Sequence, residues 1–287
     1  MVTVPDQQSW LGRPCRIVIE NNHLLKIGRS ADHTFNCGSH SFSVIDVADA
    51  SAINLALEEI RTGGSAAIVP HHLIGPEAIF FDMDATVIEE ESLVEIAKAS
   101  GKQKEIEAIT TAAMAGGMDF KESLRARLQL LKGMDRSQVL NVKPRISRGM
   151  THLANWCQQH RIPMFLVSGG FVDLAGPVAQ QLGFKDFRAN RFAWIGDKLA
   201  GDVDGEIVDA AGKREAVSQW CKIHQLNPKS CIAVGDGAND QLMMSFCGLA
   251  AGFSPKKVLW EHLQLANHTG DHRFLVDALV PLKDLKI

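Results

Sequence analysis

The chain has 287 residues, 46% hydrophobic and 22% charged, with 30 basic against 33 acidic side chains and a formal net charge of -3. That balance excludes a disordered polyelectrolyte and leaves no polybasic face for nucleic acid or anionic lipid. No apolar stretch approaches the ~18–20 residues that span a bilayer, the polar start from Met1 to Trp10 does not read as a secretory signal, and six cysteines without a CxxC pair read as reduced thiols, so a soluble cytoplasmic protein is expected.

In chain order, Arg16 to Ile19 and Phe42 to Val47 read as short strands. A helix is predicted from Ala50 to Ile60, stopped at Thr62-Gly63-Gly64, and Ser65 to Val69 reads as a further strand. Residues 1–75 thus form a small α+β domain, and Pro70 to Pro76 reads as a linker. Beyond it, from 76 to 287, strands and helices alternate. Ala78 to Phe81, Pro163 to Val167 and Cys231 to Val234 are continuous apolar runs of the kind that strands buried on both faces show. Helical patterns such as Thr151 to His160 and Ala211 to His224 lie between them. The fold class predicted is α/β, a Rossmann-like doubly wound parallel sheet, in which ligands sit beyond the carboxyl ends of the strands. The segment at about 89–149 reads as an all-helical cap inserted after the first of these strands, with capping-box spacing at Asp119 and Glu122. Phe187 to Asp204 reads as a hairpin turning at Gly196-Asp197.

Each of the three apolar runs ends in polar residues. Asp82 and Asp84 follow the first, and two carboxylates held close need a cation or a proton between them. Mg²⁺ suits such a pair because it takes oxygen ligands and few of them from protein. Alone the pattern is weak: nucleotide-sugar transferases use a similar pair, and an acidic surface turn looks the same. Ser168-Gly169-Gly170 follows the second run and offers a hydroxyl and open backbone N–H groups to a phosphate. Gly235-Asp236-Gly237-Ala238-Asn239-Asp240 follows the third; read alone it is an ordinary tight turn. Lys213 opens a helix after the Asp209 turn, a place where a lone lysine is usually solvated. That all four fall at one edge of one sheet by chance is improbable. His71-His72, His268 to His272 and the Lys256-Lys257 pair read as linker, polar loop and solvated surface.

This set in this order resembles the haloacid dehalogenase-like (HAD) superfamily of aspartate-nucleophile phosphotransferases, and within it the phosphoserine phosphatases. The likeness rests on Asp82-Met83-Asp84, Glu91, Asp119-Phe120 to Arg127, Ser168-Gly169-Gly170-Phe171 and Gly235 to Asp240, and runs from about Glu77 to about Ala278. It implies a helical cap over the core, L-serine as the product and a place at the last step of serine biosynthesis. Asp82 is then the nucleophile that forms an aspartyl-phosphate, and Asp84 the acid and base. Asp82, the backbone carbonyl of Asp84 and Asp236 are expected to hold Mg²⁺, with Asp240 supporting them. Ser168, Gly169, Lys213 and Asn239 are expected to bind the phosphoryl group. Glu91 suits the substrate ammonium and Arg127 its carboxylate, while Phe120 closes the pocket. Ala85 departs from the family, where serine is usual; activity is expected to survive. The resemblance also implies a regulatory or dimerising role, and hence a homodimer, for the N-terminal domain. The competing readings keep the chemistry with another small phosphomonoester or a phosphoryl transfer, or take the chain as a retired phosphate- or serine-sensing protein.

Overall fold

The described chain opens with three antiparallel strands, β1 (Cys15–Glu20), β2 (His33–Cys37) and β3 (His40–Ile45). Helix α1 (Ala50–Thr62) ends at Gly63, whose φ of +90° is the left-handed terminator expected there, and β4 (Ala66–Pro70) follows. The connection to β5 (Ala78–Phe81) is packed down rather than free, since Leu73 is fully buried. The cap comprises α2 (Ser92–Ser100), α3 (Gln103–Met114), α4 (Phe120–Leu130) and α5 (Arg136–Leu140). Asp119 caps α4 through the Lys121 N–H, one residue short of the box geometry its spacing suggested. Then come α6 (Met150–Gln159), β6 (Met164–Phe171), α7 (Val172–Leu182), β7 (Asp186–Asn190), β8 (Phe192–Ile195), β9 (Lys198–Val203) and α8 (Ala210–His224). The chain closes with β10 (Cys231–Gly235), α9 (Gln241–Phe246), β11 (Leu249–Phe253), β12 (Leu265–Asn267) and α10 (Arg273–Leu279). The structure, a computed structural model, describes residues 14–21, 30–37, 39–46, 50–114 and 119–280, so Met1 to Trp10 and Val47, the end of one expected strand, lie outside it.

Ten strands make one sheet in the order β2-β3-β1-β4-β12-β11-β10-β5-β6-β7. From β12 to β7 every neighbour is parallel, whereas β4 joins β12 antiparallel and continues into the N-terminal strands. The side-chain period of two sorts each central strand into two cores. Ile79 and Phe81 of β5 enter one apolar layer, Ala78 and Phe80 the other. Val69 of β4 and Ile232 of β10 belong to the first layer, Ile68 and Ala233 to the second, so both layers pass unbroken beneath the N-terminal strands.

One expectation needs correction. The hairpin is β8 and β9 alone; Asp186–Asn190 is instead the edge strand of the main sheet, pairing parallel with β6. As an edge strand of mixed exposure it lacks the apolar run that marked the central strands. The cap is held at its root by two paired legs, Ile88 facing Ile146, with Glu89 N–H donating to the Arg145 carbonyl at 2.9 Å and Ser147 N–H to that of Val87 at 3.0 Å.

Candidate active site

At the carboxyl end of β5 the chain enters a tight turn, Met83–Val87, in which Ala85 takes a φ of +52°. A left-handed alanine costs conformational energy, which the Ala85 N–H bond to the Glu90 carbonyl at 3.2 Å and the Ile88 N–H bond to that of Met83 at 3.0 Å offset. The Ala85 amide is therefore committed to Glu90. The turn directs Asp82 and Asp84 into one buried site. Asp82 Oδ1 accepts the Met83 N–H at 2.7 Å and lies 2.6 Å from Lys213 Nζ. Asp84 is gripped through both oxygens by Ser92, Oδ1 from its N–H at 3.1 Å and Oδ2 from its hydroxyl at 3.0 Å.

Lys213 is fully buried, which overturns the solvated reading of a lone lysine at a helix start. Asp209 caps that helix on Gly212 N–H at 2.9 Å, so the first turn points Lys213 at the sheet edge, where its Nζ also meets Asp240 Oδ1 at 2.7 Å. Burial alone would lower the Lys213 pKa, but Asp240 and Asp82 outweigh it and raise it. The other oxygen of Asp240 accepts the N–H groups of Asp236 and Gly237, both at 3.1 Å, folding the glycine-rich turn around a buried carboxylate. The crowding shows in the acids. Burial, then Asp240, hold the Asp82 pKa well above the ordinary carboxylate range against the pull of Lys213. Burial and Glu91 push Asp84 up to about 7, and burial and Asp240 push Asp236 to about 6.

From β6, Ser168 is buried and its hydroxyl accepts the Gly170 N–H at 2.8 Å, leaving its proton to donate elsewhere. A Cβ on Gly169 would lie 2.9 Å from Phe120 Cζ, so the cap ring rests directly on the end of β6. Asn239 is partly buried in the short Ala238–Asp240 turn. Glu91 sits at the start of α2, within electrostatic reach of Asp84 and of Arg127. Arg127 is buried on α4, where its Nε donates to the Ser123 carbonyl at 3.3 Å and Nη1 reaches Thr110 Oγ1 at 3.5 Å. Among the described residues no carboxylate forms an ion pair with its guanidinium, and burial lowers its pKa. The structure thus brings Asp82, Asp84, Ser168, Lys213, Asp236 and Asp240 together, with Glu91, Phe120 and Arg127 facing them from the cap.

Sequence reasoning passed over three participants. Lys256, taken as solvated surface, reaches Asp236 Oδ2 at 2.8 Å and Glu91 Oε1 at 3.8 Å. Its signal was available: β11 is one more strand of the parallel sheet, and Lys256 lies just beyond its carboxyl end. β11 itself escaped notice because Leu-Ala-Ala-Gly-Phe is dominated by small residues; at Gly252 a Cβ would strike Leu263 Cδ1 at 2.5 Å. Ser92 carried no motif. His272, read as part of a polar loop, is buried with its Nε2 2.9 Å from the Thr86 carbonyl oxygen.

Asp82, Asp236 and Asp240 each bring a carboxylate oxygen within 4.8 Å of the others. An all-oxygen set with more carboxylates than ammonium groups fits a hard divalent cation. Because both oxygens of Asp240 are already engaged by Lys213 and by backbone N–H groups, Asp82 and Asp236 are the candidates for direct ligation of such a cation.

A family model described as haloacid dehalogenase-like hydrolase matches residues 79–245. The phosphoserine phosphatase of Albidiferax ferrireducens is 37% identical over 220 residues, 74% of this chain and 93% of that protein. A solved phospho-aspartyl intermediate analogue of phosphoserine phosphatase is 32% identical, superposes with a TM-score of 0.67, and covers 70% of this chain and 98% of its own. A HAD family hydrolase from Salmonella enterica serovar Typhi, at 21% identity, shares the fold with a TM-score of 0.79 over 94% of this chain and 99% of its own.

Proposed function

The chain belongs to the haloacid dehalogenase-like hydrolases as a phosphatase of the phosphoserine phosphatase family, and from that premise we propose that it hydrolyses O-phospho-L-serine to L-serine and phosphate with Mg²⁺, the last step of serine biosynthesis. The observation that carries the substrate is Arg127. A buried guanidinium with no carboxylate partner among the described residues is costly to keep, and the carboxylate of an incoming amino acid supplies the missing anion in a two-pronged match. Glu91, within electrostatic reach of Arg127, would take the substrate ammonium.

An Asp82 oxygen attacks phosphorus, the bond from phosphorus to the serine oxygen breaks, and protonated Asp84 gives its proton to the departing oxygen. Its pKa of about 7 keeps a large fraction protonated near neutrality, while the two Ser92 bonds fix its direction. In the second half the Asp84 carboxylate takes a proton from water, the water oxygen attacks phosphorus, and the bond to Asp82 breaks, which restores both groups. Lys213 and the Ser168 hydroxyl receive the charge on the phosphoryl oxygens, with Asn239 orienting the group; Asp240 holds Lys213 in place from behind. Asp82, Asp236 and the Asp84 carbonyl would hold Mg²⁺, which when bound would supply charge neutralisation at the phosphoryl group. Phe120 on Gly169 keeps bulk water from the site.

The test is phosphate release from L-phosphoserine with Mg²⁺ and with excess chelator, against phosphothreonine, sugar phosphates, nucleotides and an aryl phosphate. Metal-dependent release that prefers phosphoserine is expected. Release from other esters alone would discard the roles given to Glu91 and Arg127. Silence from folded protein that still binds phosphate or serine in calorimetry would mean a sensor.

A further inference from the structure

The cap leaves and re-enters the core through two adjacent legs, and one dipeptide far along the chain touches both. The His272 ring Nε2 lies 2.9 Å from the carbonyl oxygen of Thr86, on the outgoing leg two residues past Asp84. A carbonyl only accepts, so Nε2 carries the proton. The backbone N–H of the same residue donates to the Arg148 carbonyl at 2.9 Å, on the returning leg. Beside it, the fully buried carboxylate of Asp271 meets Arg148 Nε at 3.0 Å. The approach leaves no room for a side chain at position 149: Gly149 has a φ of +76°, and a Cβ there would lie 2.1 Å from Asp271 Oδ1.

The imidazole is held in turn. It stacks on Phe253 with centroids 3.9 Å apart and planes 3° from parallel, and stands edge-on to Phe81 at 6.3 Å. Phe81 is the residue before Asp82, and Phe253 ends the strand that leads to Lys256. The ring therefore lies beneath the site, wedged between the last residues of two of its strands, and reaches up to the turn that bears Asp84. Burial depresses its pKa to about 4, so through the range of any phosphatase assay it is neutral and donates from one nitrogen without switching.

We propose that His272 is a positioning residue, which fixes the Met83–Val87 turn through the Thr86 carbonyl and, with Asp271, joins that turn to both legs of the cap. The Ala85 conformation is the reason a clamp is needed: a turn held at a positive φ without glycine relaxes unless its surroundings over-determine it. With the clamp, the direction of Asp84 and the seat of the cap are set by one rigid contact.

The inference rests on Asp84 acting as acid and base, but not on the identity of the substrate. The test compares His272→Phe, which keeps the aromatic wedge and removes the donor, with His272→Gln, which keeps an N–H donor. We expect His272→Phe to lower kcat by about tenfold with KM within twofold, equally on phosphoserine and on an aryl phosphate, and to shift the pH profile of kcat. His272→Gln should recover most of the loss. Wild-type protein that cleaves the aryl phosphate and ignores phosphoserine would remove the substrate reading and leave this comparison intact. If both variants lose thermal stability while kcat per folded molecule stays at the wild-type value, His272 is packing alone and the proposal fails. A measurement on the unaltered protein covers the case in which neither variant folds: imidazole ¹⁵N shifts should show the neutral Nε2–H tautomer from pH 6 to 9, and an Nδ1–H tautomer would overturn the assignment.

Discussion

Lys213 and Arg16 are both sealed from solvent, yet the groups around them differ in kind. Lys213 stands among carboxylates that outnumber the local cations, and burial and neighbouring acids raise the pKa values of two of them, Asp82 and Asp236. Arg16, on β1, meets one partly exposed carboxylate, Asp46, at 2.8 Å through Nε, and its Nη1 donates to the carbonyls of Ala278 and Val280 at the end of α10. One buried cation sits in a surplus of carboxylates that a metal cation would relieve; the other is matched to one carboxylate and two carbonyls and ties the N-terminal strands to the end of the core. The difference separates a charge kept for chemistry from one kept for architecture.

That contrast breaks first at Asp82. Asp82→Asn should lower kcat by at least about 10³-fold while circular dichroism and the unfolding midpoint stay near wild type; near-normal phosphate release would remove Asp82 as nucleophile. Next in size, Arg127→Ala should lower kcat/KM for phosphoserine by about 10²-fold, as lost charge-assisted hydrogen bonds imply, and that for an aryl phosphate far less. Equal losses on the two substrates would mean that Arg127 does not read the carboxylate. Arg16→Met is the mirror case: a stability loss of about 2 kcal/mol in urea unfolding, less than for a wholly buried pair because Asp46 is partly exposed, with kcat unchanged. A fall in kcat at full occupancy of the fold would erase the distinction drawn between the two cations.

The smallest effect concerns pH. Asp277 on α10 has its pKa pushed up to about 7, by burial first and by Asp271, against the pull of Arg273. A folded pKa above the unfolded one means that the native state holds the extra proton, so this group's contribution to stability is full below about pH 4 and is lost as pH rises through 7. Asp277→Asn should therefore raise stability at pH 8 by about 1 kcal/mol, with little gain at pH 5. Equal gains at the two pH values would show that Asp277 is not protonated in the folded state.

Much of the site was legible because its parts are local. Asp82-Met83-Asp84, Ser168-Gly169-Gly170 and Gly235 to Asp240 each follow an apolar run directly, and a parallel sheet sends all such endings to one edge. The cap showed as helical periodicity between two of those runs. Strands β7, β11 and β12 did not show, since an edge strand of mixed polarity, one of small residues and one of three residues lack a pattern of their own.

The sequence by itself determined the order of the strands' endings and the chemical groups they carry, because periodicity and turn formation act over a few neighbouring residues. Tertiary structure alone decided which charges are buried and against what. Lys213 became an ion-pair partner of Asp82 and Asp240, Lys256 of Asp236, and His272 a donor to Thr86, through contacts between segments far apart in the chain. The cost of desolvating a charge depends on the three-dimensional neighbours that replace water, and those neighbours exist only once the strands have paired.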